Sequence, residues 1–593
     1  MYIVGLNIGH NATACLMHNG VITSCVSEER FSRIKNHSGI PFKSIEYVLS
    51  EQKIRIEDVD LIVLDDHYPI NNDPHFGKKF LNDYTHKSLK NRVLSKVGYS
   101  FPSLFSLYQA QKRKRYLNKR EKIRAALKNE IAKQLNYTKE KIECIDHHYA
   151  HAFATYPNLP KDKKTLIFTL DGEGSGLSAT VNIADGNGIK TIASTEKSAS
   201  LGYFYAIATL WLGMKPLEHE FKVMGLAPYA KQHSIEKVYE KIKKIFRIED
   251  LEFHSKFNMP FADHFFNREL KFVRFDTLAG AVQKLTEELV MEWIREAIRT
   301  TNIHSIALSG GVFMNVKANQ KIAEMPEVAQ LFIMPSAGDE SNAIGCCNYG
   351  CLMLTKKQNK TYEPQKINHL YLGPEYEEEY VKKLIETNEL EKKYKIKKSK
   401  SINADIAKLL AKGEIVARCT GRSEWGARAL GNRSILANPN NTDTIRILNE
   451  TIKDRDFWMP FTPSMLEEDA SLYFDNPKKV SASFMAITFH SKKLAKKDLP
   501  AAMHPYDLTI RPQLVSSKTN KEYHLLLKEF KKLTGVGCLL NTSFNLHGEP
   551  NVLTPEDALH TMDNSSLKYV AIGNYLFEKE VKKYRDDIGI LEK

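Results

Sequence analysis

The sequence predicts an α/β protein of two domains, and three observations carry that prediction. At 593 residues the chain exceeds what a single hydrophobic core fills. Apolar runs bent at glycine turns recur through its first half, interleaved with helical stretches. A polar, unpatterned stretch with two prolines, TKKQNKTYEPQKINHLYLGPEYEEEY at 355–380, then breaks the pattern and reads as a linker. The expected division is 1–355, a linker at 356–380, and 381–593.

The elements follow in order. YIVGLNI, ACLMHNG and VITSCVS alternate as strands, with His18-Asn19-Gly20 at a hairpin turn. Residues 75–140 read as helical and basic. Their densest patch, QKRKRYLNKREKIR at 111–124, reads as a solvated helical face, because aromatic rings that would stack on bases are sparse there. TLIFTLDGEGSGLSATVNIADG is a second strand pair, and 202–215 and 277–300 are helical. SIALSGGVFMNVKAN and QLFIMPSAGDESNAIG each run from strand to turn. Beyond the linker the best strands are GEIVARCT, SASFMAITFH, VGCLLNTSF and YVAIGNYLF.

Composition narrows the class. Hydrophobic residues make up 42% and aromatics 10%, as in a folded globular chain. No run approaches the roughly 18 to 20 apolar residues of a membrane span. MYIVGLNIGHNATACL reads as a first strand rather than a signal peptide, so the expected location is cytoplasmic. Eight cysteines are too sparse for a disulfide scaffold, and the spacing of Cys346, Cys347 and Cys351 matches no common zinc pattern, so they read as buried thiols. A net charge of +14 suits anionic substrates or nucleic acid. The thin aromatic content of the basic patch weighs against the latter.

Glycine lets backbone approach a phosphate and turns N–H groups inward. NIGHNATA, LDGEGSG and LSGGVFMN, with Gly310 and Gly311 in the last, together resemble the two phosphate loops and adenosine loop of the actin/sugar-kinase/heat-shock ATPase superfamily. That likeness implies two ribonuclease H-like lobes around a nucleotide cleft. In HHYAHAFATYP, His147 and His151 share a helix face at a spacing that chelates one divalent ion. The zinc-protease pattern HExxH needs glutamate after the first histidine, and here His148 stands there, which excludes that chemistry. A carboxylate must complete such a site, and Asp339 in PSAGDESNAIG is the best candidate.

GLNIGHNATACL, SEERFSRIKN, HHYAHA, FKVMGLAPYA, SGGVFMN, PSAGDESNAIG, GRSEWGARALGNRSILA, LNETIKDRDFWMPFTPSML and LNTSFNLHGEPNVLTPEDAL succeed one another from residue 3 to about 575. In this series the chain resembles the O-carbamoyltransferase family of the NodU/CmcH/TobZ type, whose members act on nodulation factors, cephems and aminoglycosides. The resemblance implies an actin-like, two-lobed N-terminal domain followed by a YrdC-like α/β domain. It also implies two stages: carbamoyl phosphate and ATP, with magnesium, form carbamoyl-adenylate in the C-terminal domain. The carbamoyl group then passes to an acceptor hydroxyl in the N-terminal one.

The same resemblance assigns residues. His147, His151 and Asp339 hold a metal, which the family implies is iron(II); imidazole and carboxylate suit zinc and manganese equally. His10 is the general base and Lys35 faces the adenylate phosphate. Asp171 faces the nucleotide phosphates or their metal, and Asn315 follows its glycine turn. Lys453 with Arg455, and Ser543 with Asn545, form the K-x-R and S-x-N pairs of the adenylating site, with Asn541 in the same motif. Arg422, Arg428, Arg433 and Arg511 are placed on phosphate oxygens. Two positions depart from the family: Asn11 replaces the usual aspartate after His10, and Ala427 replaces a proline.

Two other readings share these motifs. Both domain types occur in the synthesis of threonylcarbamoyladenosine on tRNA, although the C-terminal motifs belong to the small-molecule family. Asn11 is the one hint of a catalytically degenerate nucleotide-binding protein. The acceptor is open between small molecule and glycan, and the oligomeric state between monomer and homodimer.

Overall fold

The structure is a computed structural model and describes residues 1–66, 74–75, 96–97, 99–360, 365–453 and 456–579. The N-terminal half contains two five-stranded sheets on one plan. In the first, β1 (Tyr2–Asn7), β2 (Thr13–His18) and β3 (Val21–Ser27) form an antiparallel meander, and β4 (Leu61–Asp65) and β5 (Ile142–Ile145) continue parallel to β1, giving the order 3-2-1-4-5. The hairpin turn falls where the sequence places it: Asn19 and Gly20 both take positive φ, 50° and 84°, the geometry of a tight turn that matches strand twist.

The second sheet repeats that order with β6 (Thr165–Gly174), β7 (Leu177–Asp185), β8 (Gly188–Glu196), β9 (Ser305–Ser309) and β10 (Gln330–Ile333). This duplicated arrangement is the ribonuclease H-like pair of lobes expected of an actin-like N-terminal region. Four helices matter for the site: α1 (Pro102–Leu135), α2 (His147–Thr155), α3 (Phe275–Thr301) and α4 (Asn342–Lys357). α2 and α4 pack together, α2 against β6 and α4 against β1 and β4. Their crossing is close because residue 345 is glycine; a Cβ there would collide with the Ala150 carbonyl. Cys346 and Cys347 lie on the buried side of α4, and all eight cysteines are buried and unpaired.

The C-terminal half is a mixed eight-stranded sheet. Its strands are β11 (Lys395–Lys398), β12 (Val416–Cys419), β13 (Arg433–Ala437), β14 (Thr462–Leu466), β15 (Gln513–Val515), β16 (Cys538–Ser543), β17 (Tyr569–Ile572) and β18 (Tyr575–Glu578), in the order β11-β18-β17-β12-β13-β16-β14-β15. Helices α5 (Ile402–Ala411) and α6 (Lys521–Thr534) cover one face, burying Ile406, Leu410, Tyr523, Leu527 and Phe530 against Val416 and Leu539.

Two expectations change here. Part of the stretch read as a linker is packed: Leu370 and Leu372 are buried, and the Cys25 amide donates to the Leu372 carbonyl at 3.1 Å. SASFMAITFH is irregular except for Phe489–His490. Two of its backbone groups bond across the halves instead of in a ladder, Thr488 N donating to Val316 O at 3.3 Å and Asn319 Nδ2 to Ala486 O at 2.8 Å. No described helix is long and apolar enough to cross a membrane.

Candidate functional site

Asp146 caps α2, its carboxylate accepting from His148 N at 3.0 Å, and this sets the helix start that places His147 and His151 on one face. Asp171 comes from the end of β6, and Asp339 opens the turn that leads into α4. One ligand atom from each of these four residues lies within 4.8 Å of the others. His151 Nε2 stands 3.2 Å from Asp171 and 3.5 Å from Asp339; His147 Nε2 is 3.8 Å and 3.6 Å from the same two carboxylates.

The rings are held from behind. Asp65 and Asn342 each lie 3.2 Å from His147 Nδ1, and Ser341 Oγ lies 3.2 Å from His151 Nδ1. An imidazole anchored through Nδ1 presents Nε2 to the centre, as a metal-binding histidine does. Electrostatics agree with a cation site. Burial disfavours the charged imidazoles, but the carboxylates outweigh it: Asp339, Asp171 and Asp65 hold His147 well above its ordinary pKa, and Asp171 and Asp339 raise His151. Against its own burial, Asp171 is held well below the carboxylate range by the two rings. Two imidazoles and two carboxylates fit a divalent first-row metal without selecting one.

Asp171 thus stands with His147, His151 and Asp339 in the group that could hold a metal ion. Gly311 N donates to it at 3.2 Å, so that turn positions the Asp171 carboxylate. Gly310 takes φ +103°, and a Cβ would strike the Leu170 carbonyl. Asn315 caps the helix Val316–Glu324 through Ala318 N at 3.0 Å and pairs with Gln283. Asp65 was not singled out from sequence; its signal was the acidic pair ending the buried run LIVLDD.

His10 follows β1, its carbonyl accepting from Asn7 Nδ2 at 2.7 Å. Asn11 adopts left-handed backbone, φ 57°, which asparagine tolerates, and its amide points to Glu340 Oε2 at 3.4 Å. Glu340 is buried, accepts the Ser336 hydroxyl, and is pushed up by burial. An aspartate at 11 would face this carboxyl with a like charge; the amide offers a donor. Lys35 is half-buried, with no hydrogen bond or ion pair among the described residues. His219, depressed to about 4 by burial and then by Lys222, also feels the Lys35 charge.

In the C-terminal half Lys453 is buried and its ammonium meets the other motif directly. It donates to the Ser543 carbonyl, to Ser543 Oγ at 3.3 Å, to Asn545 O at 3.1 Å and to Asn545 Oδ1 at 2.9 Å. Ser543 Oγ donates to Asn545 Oδ1 at 2.6 Å. Arg455 lies outside the described residues.

Several residues expected on phosphates are occupied otherwise. The Arg433 guanidinium is buried and donates to the carbonyls of Leu553, Thr420, Gly421, Asn432 and Pro374. Arg422 joins the halves through the carbonyls of Leu372 at 2.8 Å and Thr23 at 3.1 Å. Asn541 is buried on Ala429 O, Ser464 Oγ and Gln513 Oε1. Arg511 is half-buried beside the short strand Thr509–Ile510. Arg433→Met strands at least three buried carbonyls, so we expect a loss on the order of 3 kcal/mol or more, read as a lower urea midpoint.

Arg428 differs from these. It comes from the C-terminal half yet faces the N-terminal one: Arg30 donates to the Gly426 carbonyl at 2.9 Å, and Ala427 N donates to Ser336 Oγ at 3.0 Å. Burial lowers the Arg428 guanidinium to about 10, and Glu340 is the charge that opposes the shift. It has no hydrogen bond or ion pair among the described residues.

Residues 2–347 match the family model described as carbamoyltransferase N-terminus, and residues 407–579 match that of the carbamoyltransferase C-terminus. An uncharacterized protein of Methanocaldococcus jannaschii is 31% identical over 93% of this chain and 95% of its own length. Nodulation protein NolNO of Sinorhizobium fredii is 28% identical over 97% of this chain and 80% of that protein. Among solved structures, full-length HypF in a phosphate- and nucleotide-bound form is 13% identical and covers 60% of this chain and 56% of that one. The TM-score of that superposition is 0.34.

Proposed function

The chain belongs to the carbamoyltransferase family, and from that premise we propose that it is an ATP-dependent O-carbamoyltransferase acting on a hydroxyl of a small-molecule or glycan acceptor. In this reading 1–355 is the transfer domain, 356–380 the connection, and 381–593 a YrdC-like domain that forms carbamoyl-adenylate. One observation carries it: a lysine seated on an S-x-N motif in one half and a two-histidine, two-aspartate cage in the other, joined in one chain.

The chemistry explains the division. Carbamoyl phosphate loses phosphate to water, leaving carbamate. A carbamate oxygen attacks the α-phosphorus of ATP, and pyrophosphate departs. Lys453 supplies positive charge to the phosphates, and Ser543 and Asn545 hydrogen-bond the carbamoyl end. Enclosure limits the loss of carbon dioxide from carbamate before adenylation. In the transfer step the acceptor oxygen attacks the carbamoyl carbon, AMP leaves, and His10 takes the hydroxyl proton. Lys35 and Arg428, two cations with no hydrogen bond or ion pair among the described residues, meet the adenylate phosphate from the two halves. His147, His151, Asp171 and Asp339 would hold a divalent metal, iron(II) in this reading, which supplies Lewis-acid polarisation of the carbamoyl carbonyl.

Purified protein given carbamoyl phosphate, ATP with magnesium and a panel of sugars should release pyrophosphate only when carbamoyl phosphate is present, and carbamoylate one of the acceptors. Absence of any carbamoyl-phosphate-dependent pyrophosphate sinks the proposal. Arg428→Gln should lower kcat/KM for transfer by about 10- to 100-fold, the scale of one charge-assisted contact, with pyrophosphate release kept.

A further inference from the structure

The basic helix α1, read from sequence as a solvated face, reaches the back of the metal cage. Asp66, 2% exposed, follows Asp65 at the end of β4. Its Oδ2 receives Arg120 through Nε at 3.0 Å and Nη2 at 2.8 Å, and Arg124 through Nε at 3.0 Å and Nη2 at 2.8 Å. Its Oδ1 accepts the Ser175 hydroxyl, and Ser175 Oγ accepts from His147 N at 3.3 Å. Arg120 Nη2 also donates to Asp146 Oδ2 at 2.6 Å, while the other oxygen of Asp146 caps α2.

Three segments that carry or orient cage donors thus meet at two guanidiniums. The β4 end holds Asp65 against His147, Asp146 fixes the start of the helix bearing both histidines, and Ser175 fixes the turn that follows Asp171 in β6. One arginine is enough to neutralise Asp66. A second one, with both forks on the same oxygen, fixes direction as well as charge. Groups behind a metal ligand set its orientation and typically change affinity by about 10- to 100-fold when removed.

We propose that Arg120 and Arg124 are positioning residues for the metal cage, acting through Asp66 and Asp146 on His147. The proposal rests on the cage of the proposed function and is tested by binding, independently of turnover. Cobalt(II) is titrated into cation-free protein and followed by its visible absorption, which reports both affinity and ligand geometry. Arg120→Gln and Arg124→Gln should each weaken binding about 10- to 100-fold and alter the absorption band. Arg124→Lys, which keeps charge but loses the fork, should not restore the band. Lys531→Gln, which breaks the remote Lys531–Asp469 pair of the C-terminal half, serves as the control for general loosening and should bind like wild type.

Cobalt affinities of both glutamine variants within twofold of wild type would overturn the proposal, as would an equal fall in the Lys531 variant. Should the glutamine variants not fold, Arg120→Lys and Arg124→Lys carry the same criterion. No cobalt uptake by wild type would remove the cage and this proposal together. Wild-type uptake with unaffected variants would remove the proposal alone.

Discussion

Lys453→Met abolishes carbamoyl-phosphate-dependent release of pyrophosphate, with an expected loss of about 10²- to 10³-fold, while cobalt binding in the other half is unchanged. The magnitude follows from removing a preorganised cation at the place where negative charge collects. The ammonium contacts four oxygens of Ser543 and Asn545, so its deletion also leaves acceptors unmatched in a buried place. Ser543→Ala tests the same cluster more gently: Lys453 keeps three of its contacts, the hydroxyl bond to Asn545 is lost, and a loss of about tenfold is expected. A rate for Lys453→Met within a few-fold of wild type would mean that adenylation happens elsewhere.

The sequence made some of this readable because certain partners are close along the chain. His147 and His151 are one helical turn apart, and periodicity alone puts them on one face. Lys453 and Ser543 are 90 residues apart, but each sits in a long motif whose resemblance assigns it. What escaped was set by sheet order. Asp65 supports His147 because β4 lies between β1 and β5, and nothing within LIVLDD states which neighbour it will face. Asp171 was expected to face the nucleotide phosphates or their metal, and LDGEGSG alone does not state that His147 and His151 will be its neighbours. Arg433 and Asn541, expected at the nucleotide or substrate, bond to neighbouring protein oxygens, which their motifs alone do not show. A polar side chain in a loop can serve backbone carbonyls as readily as phosphates, and the fold around it sets its partners. For α1 the sequence showed charge but not direction: Arg120 and Arg124 turn inward, onto Asp66, which lies 54 and 58 residues before them.

Asp339→Ala divides the two stages. The cage keeps both rings and Asp171, yet loses one of two carboxylates facing the Nε2 atoms, so the positive charge of a divalent ion is met by one formal negative charge instead of two. Metal affinity should fall by at least about 100-fold, beyond what loss of an outer supporting group produces. The carbamoylated acceptor should fall by about 10³-fold or more, whereas pyrophosphate release persists, because Lys453, Ser543 and Asn545 are untouched. The adenylate formed would then hydrolyse, and AMP would accumulate without product. His151→Ala should behave alike, since His151 Nε2 lies closest to the carboxylates, 3.2 Å from Asp171. The informative result is the ratio of pyrophosphate to carbamoylated acceptor, near one for wild type and rising steeply in both variants. If product and pyrophosphate fell together, the cage would instead serve adenylation, and the assignment of transfer to the N-terminal half would be wrong.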